Sequence, residues 1–324
     1  MGGRYLGRKL GQALLTILAI VLLNFVLFRM MPGSPERVLL RNQYLTQAKI
    51  AQVRAEWGLD KPLIPDQLVG YVRATAQGDL GYSFFFRGTP VVDVIGQRFW
   101  PTILLIGLGE IISVVVGLAL GAYAGWRRGS AADRVGSGLS LIFYSMPYFV
   151  IGMPLILIFA SGLGLFPTSG MLTVGATYPS IVDRLIDLGR HLVLPLATVS
   201  LGLIGGYSIL MRSSIIETRS EDYITTARAK GLADGRILRH HAFPNAMLPM
   251  VTIIAINVGY VVAGAITAEV VFNWPGLGTL TVDALSSRDY PILQGVFLLL
   301  SITVVLANLV ADVVYGLLDP RIRS

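Results

Sequence analysis

The sequence predicts an all-α membrane protein with six transmembrane helices. The chain of 324 residues is 54% apolar and only 14% charged, too few charges to cover a soluble domain of that size. Its apolar residues fall in long runs, and about 20 helical residues cross a bilayer core of roughly 30 Å. The net charge of +7 comes from basic residues scattered through the connections between those runs. No aromatic basic patch accompanies them, which excludes a nucleic-acid partner. Cysteine is absent, so disulfides and cysteine–metal sites are excluded as well.

The expected spans are Leu10–Met31, Trp100–Trp126, Gly138–Gly162, His191–Met211, Pro249–Ala268 and Pro291–Tyr315. The first follows Arg4, Arg8 and Lys9 but is too long for a signal peptide and lacks a small-x-small cleavage pattern before Pro32, so it reads as a retained span. The organisation expected is residues 1–31 as cytoplasmic N-terminus and first span, 32–99 as an external helical insertion, and 100–324 as a five-span core. In the insertion, Thr46 starts an amphipathic helix with Ile50, Val53 and Trp57 on one face, closed by Gly58. Pro65–Ala76 reads as a second helix and Gly78–Gly81 as a turn. Thr89-Pro90 starts a third helix, Val91–Phe99, expected along the membrane surface. Span three carries Pro147 and Pro154 and should kink. Ser180–Leu188 reads as a separate surface helix. No solenoid repeat or low-complexity tract interrupts the pattern.

Orientation follows from lysine and arginine in the connections. With the N-terminus inside, the inner segments hold Arg127, Arg128 and Arg134, a dense basic group from Arg212 to Arg239, and Arg321 and Arg323. The short outer connections hold only Arg184, Arg190 and Arg288. Both termini and the 212–248 loop are therefore expected in the cytoplasm.

That loop contains the most informative stretch, 221–249, a polar island between apolar runs. Ser220 is expected to cap a helix, with Glu221 and Asp222 in its first turn, where the helix dipole favours acids. Arg228 and Lys230 lie near its end and Gly231 offers a left-handed stop. Asp234 offers a second cap, with Gly235–Phe243 a second short helix before Pro244. Ala227 and Ala229 leave a thin face open to close approach. By charge pattern alone such a run is a solvated connection.

Chemistry elsewhere is sparse. There is no GxxxxGK[ST], and glycine clusters lie inside apolar runs, so no ATP site is present. Adjacent His240 and His241 diverge on a helix and read as loop or interface residues. No paired carboxylates or nucleophile–base set supports a membrane enzyme. Glu110, Asn257, Asn308 and Asp312 lie within spans, where ionisable groups are costly. Glu110 is the pathway candidate, while Asn308 and Asp312, one turn apart, read as a structural pair. Gly117, Gly121 and Gly125 form a face for close helix packing. The 269–290 segment mixes Phe272, Trp274 and Leu277 with Pro275, Gly276 and Gly278. It cannot be a straight span and is expected to be re-entrant, forming an external gate, with a packed turn that merely spaces the two spans as the alternative.

TTARAKG at 225–231, followed downstream by Phe243-Pro244, resembles the EAA loop of ABC importer permeases, with Thr225 where that pattern has glutamate. The order GLDKPL, GDLGYS, FPTSG, HLVLP, YITTARAKGL, VFNWPGLG, RDYP and LLDPRIR extends the resemblance end to end, to the first permease subunit of bacterial dipeptide/oligopeptide ABC importers. The resemblance implies a type I ABC importer permease fold in the cytoplasmic membrane, a non-enzymatic subunit forming half of a peptide pathway. It also implies a second related permease, two cytoplasmic ATPase domains or subunits that use ATP and Mg, and an external substrate-binding protein; this chain binds no cofactor of its own. The ATPase-coupling residues would be Glu221, Tyr223, Thr225, Thr226, Ala227, Arg228, Lys230, Gly231, Phe243 and Pro244. Nickel and glutathione permeases resemble the same pattern. An ATP-independent channel or secondary transporter would leave the 221–249 loop without a role.

Overall fold

A computed structural model describes residues 3–30, 51, 62–86, 88–261 and 266–318. The expected helix from Thr46 to Gly58 and the C-terminal Arg321 and Arg323 lie outside the described residues. Among the described residues the fold is helical. α1 is Gly3–Met30 and α2 is Leu68–Ala76. Two long helices form the centre, α3 (Val91–Trp126) and, after the bent pair α4 (Ala131–Ser145) and α5 (Tyr148–Leu155), α6 (Ile181–Thr218). A short helix, α7 (Asp222–Ala229), leads to α8 (Asp234–Ile237) and α9 (Phe243–Tyr260). The chain closes with α10 (Ile266–Val271), α11 (Leu277–Ser287) and α12 (Tyr290–Leu318).

Five helical stretches are long and apolar enough to cross a membrane, and α4 with the α5 segment makes a sixth if that bent pair is one span. The bend between them is 103°. It falls at Met146-Pro147, both in extended backbone, because a proline disfavours helical geometry in the residue before it. Span three is thus broken at Pro147 rather than merely kinked. Past Pro154, which lacks an N–H to donate, the helix loosens into wide i→i+5 turns over Ile156–Gly162.

Three expected boundaries are corrected. Val91–Phe99 is not a separate surface helix but the first turns of α3, so the expected boundary at 99/100 falls inside one helix. Pro101 does not stop it, since a proline removes one hydrogen bond while packed neighbours hold the rest. Likewise Ser180–Leu188 joins the fourth span in α6, which starts at a capping box between Ser180 and Asp183. The expected second short helix at 235–243 runs on through wide turns at Leu238–Ala242 into α9, which ends at Tyr260; Ala268 belongs to α10.

The central contact is α3 against α6. A Cβ on Gly117 would strike the Tyr207 side chain at 2.6 Å, and one on Gly125 would strike Ile215 at 2.9 Å. The expected small-residue face therefore brings two backbones together, where dispersion contacts hold helices that lipid would otherwise solvate equally well. At one end of this pair the buried Asp133 accepts two bonds from Arg212, at 2.5 and 2.9 Å, and a third from the Gly129 N–H. Lys9 pairs with Asp312 at 2.8 Å, joining the start of α1 to the end of α12, and Asn308 is exposed. The structural partner of Asp312 is thus Lys9, not Asn308.

Candidate functional site

At one end of the α3–α6 pair lies the 221–249 stretch. Ser220 does not cap α7: its hydroxyl donates to the Glu217 carbonyl, and Glu221 takes the cap position without a side-chain bond. Ile224 and Ala227 are buried among Leu118, Met211, Ile215 and Ile237, so Ala227 faces this chain and only Ala229 of the expected thin face is open. Tyr223, Thr225, Thr226, Arg228 and Lys230 are exposed, with Glu221 and Pro244 beside them, and Phe243 is half-buried. Burial and the neighbouring Glu221 push the Tyr223 phenol above its ordinary value. Gly231 has φ +76, the left-handed stop expected from the sequence, and open space around it.

α7 is tied to the end of α3 through Trp126. The Arg219 guanidinium donates to the Trp126 carbonyl at 2.6 Å and lies 5.4 Å over its ring. Arg228 lies 5.5 Å over the same ring and 3.9 Å from Asp234. Cations here also meet the negative end of the α3 dipole.

At the opposite end of α3 sits the 269–290 segment. It is a helix–turn–helix, α10 and α11 around a tight turn at 272–276, with Asn273 at φ 46. Phe272, Trp274 and Leu277 are each at most 1% exposed. Trp274 packs on Leu105, Ile106 and Val199 and donates its indole N–H to the Pro101 carbonyl at 2.8 Å. Phe272 packs on Ala160 and Leu194, and its carbonyl accepts from Gly170 N–H, tying the 163–180 loop to the turn.

The organising side chain of this turn is Glu269, fully buried. Its carboxylate accepts from the Thr102 hydroxyl at 2.7 Å and from the N–H groups of Gly278 at 2.7 Å and Thr279 at 3.2 Å. It thereby satisfies the orphan donors at the start of α11. The Thr102 oxygen in turn accepts from Leu277 N–H at 2.7 Å. Side chains on Gly276 or Gly278 would collide with this carboxylate, which explains both glycines of VFNWPGLG. Beyond α11, the buried Asp289 accepts from Ser83 Oγ at 2.5 Å and from the N–H groups of Phe84, Phe85 and Ile292. The GDLGYS and RDYP motifs therefore meet.

Between the two ends Glu110 is buried and accepts a hydrogen bond from Tyr207, whose oxygen accepts from Asn257 at 2.8 Å. Glu110 thus joins α3, α6 and α9. Among the described residues no group of histidines or acids is placed to hold a metal, and exposed His240 faces the Arg236 carbonyl. Sequence reading missed Glu269, Thr102, Asp289 and Asp133. An acid bordering an apolar run was the available signal for Glu269; Thr102 and Arg212 are partners across 167 and 79 residues that no spacing reveals.

A helical protein with five or six membrane-length apolar helices, a buried helix–turn–helix at one end of its central helix and an exposed polar helix at the other fits a membrane permease. The chain belongs to the family described as binding-protein-dependent transport system inner membrane component, which matches residues 117–324, with its N-terminal counterpart matching residues 3–106. It is 40% identical, over 99% of both chains, to the probable peptide ABC transporter permease protein y4tP of Sinorhizobium fredii. It is 39% identical to the dipeptide transport system permease protein DppB of Escherichia coli, over 99% of this chain and 98% of that one. It is 38% identical to the glutathione transport system permease protein GsiC of Salmonella choleraesuis, over 98% of each. The fold matches a chain of the MetNI methionine ABC transporter with a TM-score of 0.56 at 17% identity, over 70% of this chain and 97% of that chain.

Proposed function

We propose that this chain is the permease subunit of an ATP-driven peptide importer and forms half of its pathway across the cytoplasmic membrane. The observation that carries this reading is full-length identity near 40% to permeases named for peptides and dipeptides. In this reading α7 is the element that partner ATPases grip: it is short, exposed on the face of Thr225, Thr226, Arg228 and Lys230, and anchored through Trp126 to α3. A second related permease completes the pathway, two ATPase domains or subunits supply ATP hydrolysis with Mg, and an external binding protein delivers the peptide. Both termini and the 212–248 loop face the cytoplasm, as the basic residues direct. Phe272, Trp274 and Leu277 are buried, so they shape the external gate from within while exposed Asp283, Leu285 and Arg288 of α11 and its cap meet the docked protein. The relative named for glutathione, itself a modified tripeptide, favours that substrate as the second reading.

The test is reconstitution of the complete complex in liposomes with ATP inside, followed by uptake of labelled dipeptide, glutathione and nickel added separately with the cognate binding protein. ATP-dependent uptake of dipeptide is expected. Uptake of glutathione or nickel alone reassigns the substrate, and uptake without ATP overturns the importer class.

A further inference from the structure

We propose that Glu269 and Thr102 form the latch of the external gate, and that breaking their contact is the step that opens this chain's half of the pathway to the outside. The inference rests on the importer reading above and deepens it.

Besides the Trp274–Pro101 and Gly170–Phe272 bonds, two buried carboxylates fasten the 269–289 unit. On one side Glu269 grips the Thr102 hydroxyl, which also accepts from Leu277 N–H, so a single hydroxyl joins α3 to both arms of the turn. On the other side Asp289 holds the 83–85 loop of the external insertion. The unit therefore lies between the insertion and α3. A displacement of α3 is felt at Thr102 and at the neighbouring Trp274–Pro101 bond, and a displacement of the insertion at Asp289.

Three features mark the Thr102 contact as a switch rather than ordinary packing. First, a buried carboxylate is a costly way to close a turn that apolar side chains would fill, and it persists here only because three donors satisfy it. Two of those donors move with the carboxylate as one unit, since Gly278 and Thr279 belong to α11 and Glu269 to the adjoining α10. Of the three, only the Thr102 bond crosses to α3, so once it and the Trp274–Pro101 bond part, the turn can leave α3 with its carboxylate still bonded twice. Second, the Trp274 indole, bonded to Pro101, covers Leu105 beneath it, so lifting the turn uncovers an apolar wall of α3. Third, α3 runs unbroken from Pro101 to Trp126, about 37 Å at 1.5 Å per residue, and ends under Arg219 and Arg228 of the coupling end. A rigid helix with a discrete contact at each end is the physical element that lets ATPase closure at α7 bias the latch.

The experiment uses the full complex in liposomes with Thr102→Val, Thr102→Ser and Glu269→Gln. Valine keeps the shape and removes both hydroxyl bonds; serine restores them; glutamine removes the charge and turns an N–H donor either toward the Gly278 and Thr279 N–H groups or toward the Thr102 hydroxyl, so the charged acceptor is lost. Wild-type ATP-dependent uptake is the control, and its absence is a failure of the importer reading, not of the latch. Given that control, Thr102→Val and Glu269→Gln should raise ATPase activity without binding protein and cut peptide uptake, each by about tenfold, as expected if the closed state loses its differential contact. Thr102→Ser should behave as wild type. In a Leu105→Cys background, thiol labelling by an impermeant external reagent should be slow when Thr102 is present and at least about tenfold faster in the Thr102→Val variant. Unchanged uptake, basal ATPase and thiol labelling at position 105 in either assembled variant overturns the latch. Loss of assembly in both variants also overturns it, by making the pair part of the fold's foundation.

Discussion

Gly231 shows how one residue type is imposed by backbone geometry. Its φ of +76 lies in the left-handed region, and a Cβ there would meet nothing within 4 Å. The demand is conformational rather than steric, because an L side chain in that region costs roughly 1–2 kcal/mol unless it is Asn or Asp. Gly231→Leu should therefore reorient the end of α7 while sparing the buried Ile224 beneath it. Assembly should persist, ATP hydrolysis should continue, and peptide uptake should fall by roughly tenfold, since strain of that size shifts an equilibrium by about that factor. Gly231→Asn should keep most uptake. Normal uptake by the leucine variant would remove α7 from the coupling role. The same logic separates Gly276 and Gly278 from Gly231: there the obstacle is the Glu269 carboxylate, and the reason for glycine is space.

At the scale of elements, the close approach of α3 and α6 joins the two ends of the molecule. Gly121 lies against the Met211 side chain and the Ser208 backbone, where even a methyl group would overlap. Backbone cannot move aside as a flexible side chain can, so overpacking costs about 1–3 kcal/mol or more. Gly121→Val should lower the melting temperature of the detergent-solubilised complex by several degrees and reduce uptake, whereas Gly136→Val on α4, where a Cβ meets open space, should do neither. An equal effect of the two substitutions would mean that the close approach of α3 and α6 is not what stabilises the core. The unbroken length of α3 and α6 matters for the same reason. Each merges an expected surface helix with a span, and a continuous helix transmits a tilt that a jointed one would absorb.

Across the whole molecule, orientation is tested by single cysteines, which are clean reporters because the native chain has none. Ser83, expected by sequence to lie in the external insertion, is 3% exposed and bonded to Asp289, so it reports burial rather than sidedness. Val174 in the 163–180 loop is fully exposed, and Ser220 is exposed beside α7. Val174→Cys should react with an impermeant maleimide added to intact cells, and Ser220→Cys only after permeabilisation. The opposite pattern would place α7 outside and end the coupling assignment.

Apolar run length predicted the membrane-length helices, five with a sixth if the bent pair is one span, because a bilayer demands about 20 apolar residues per span whatever the neighbours are. Glycine spacing at Gly117, Gly121 and Gly125 gave the packing face, and Gly231 gave the stop of α7, since both follow from local sterics. Helix continuity was not legible. Thr89-Pro90 and Ser180 were readable as helix starts, but whether Phe99 and Leu188 end those helices depends on neighbours that replace what Pro101 or a polar turn would otherwise lose. Polar pairing was the other blind spot. Thr102 with Glu269, Ser83 with Asp289 and Lys9 with Asp312 are partners far apart in the chain. A buried charge must find its donors wherever folding brings them, so only the tertiary structure could say that the 272–276 turn is held by an acid as well as by its aromatic residues.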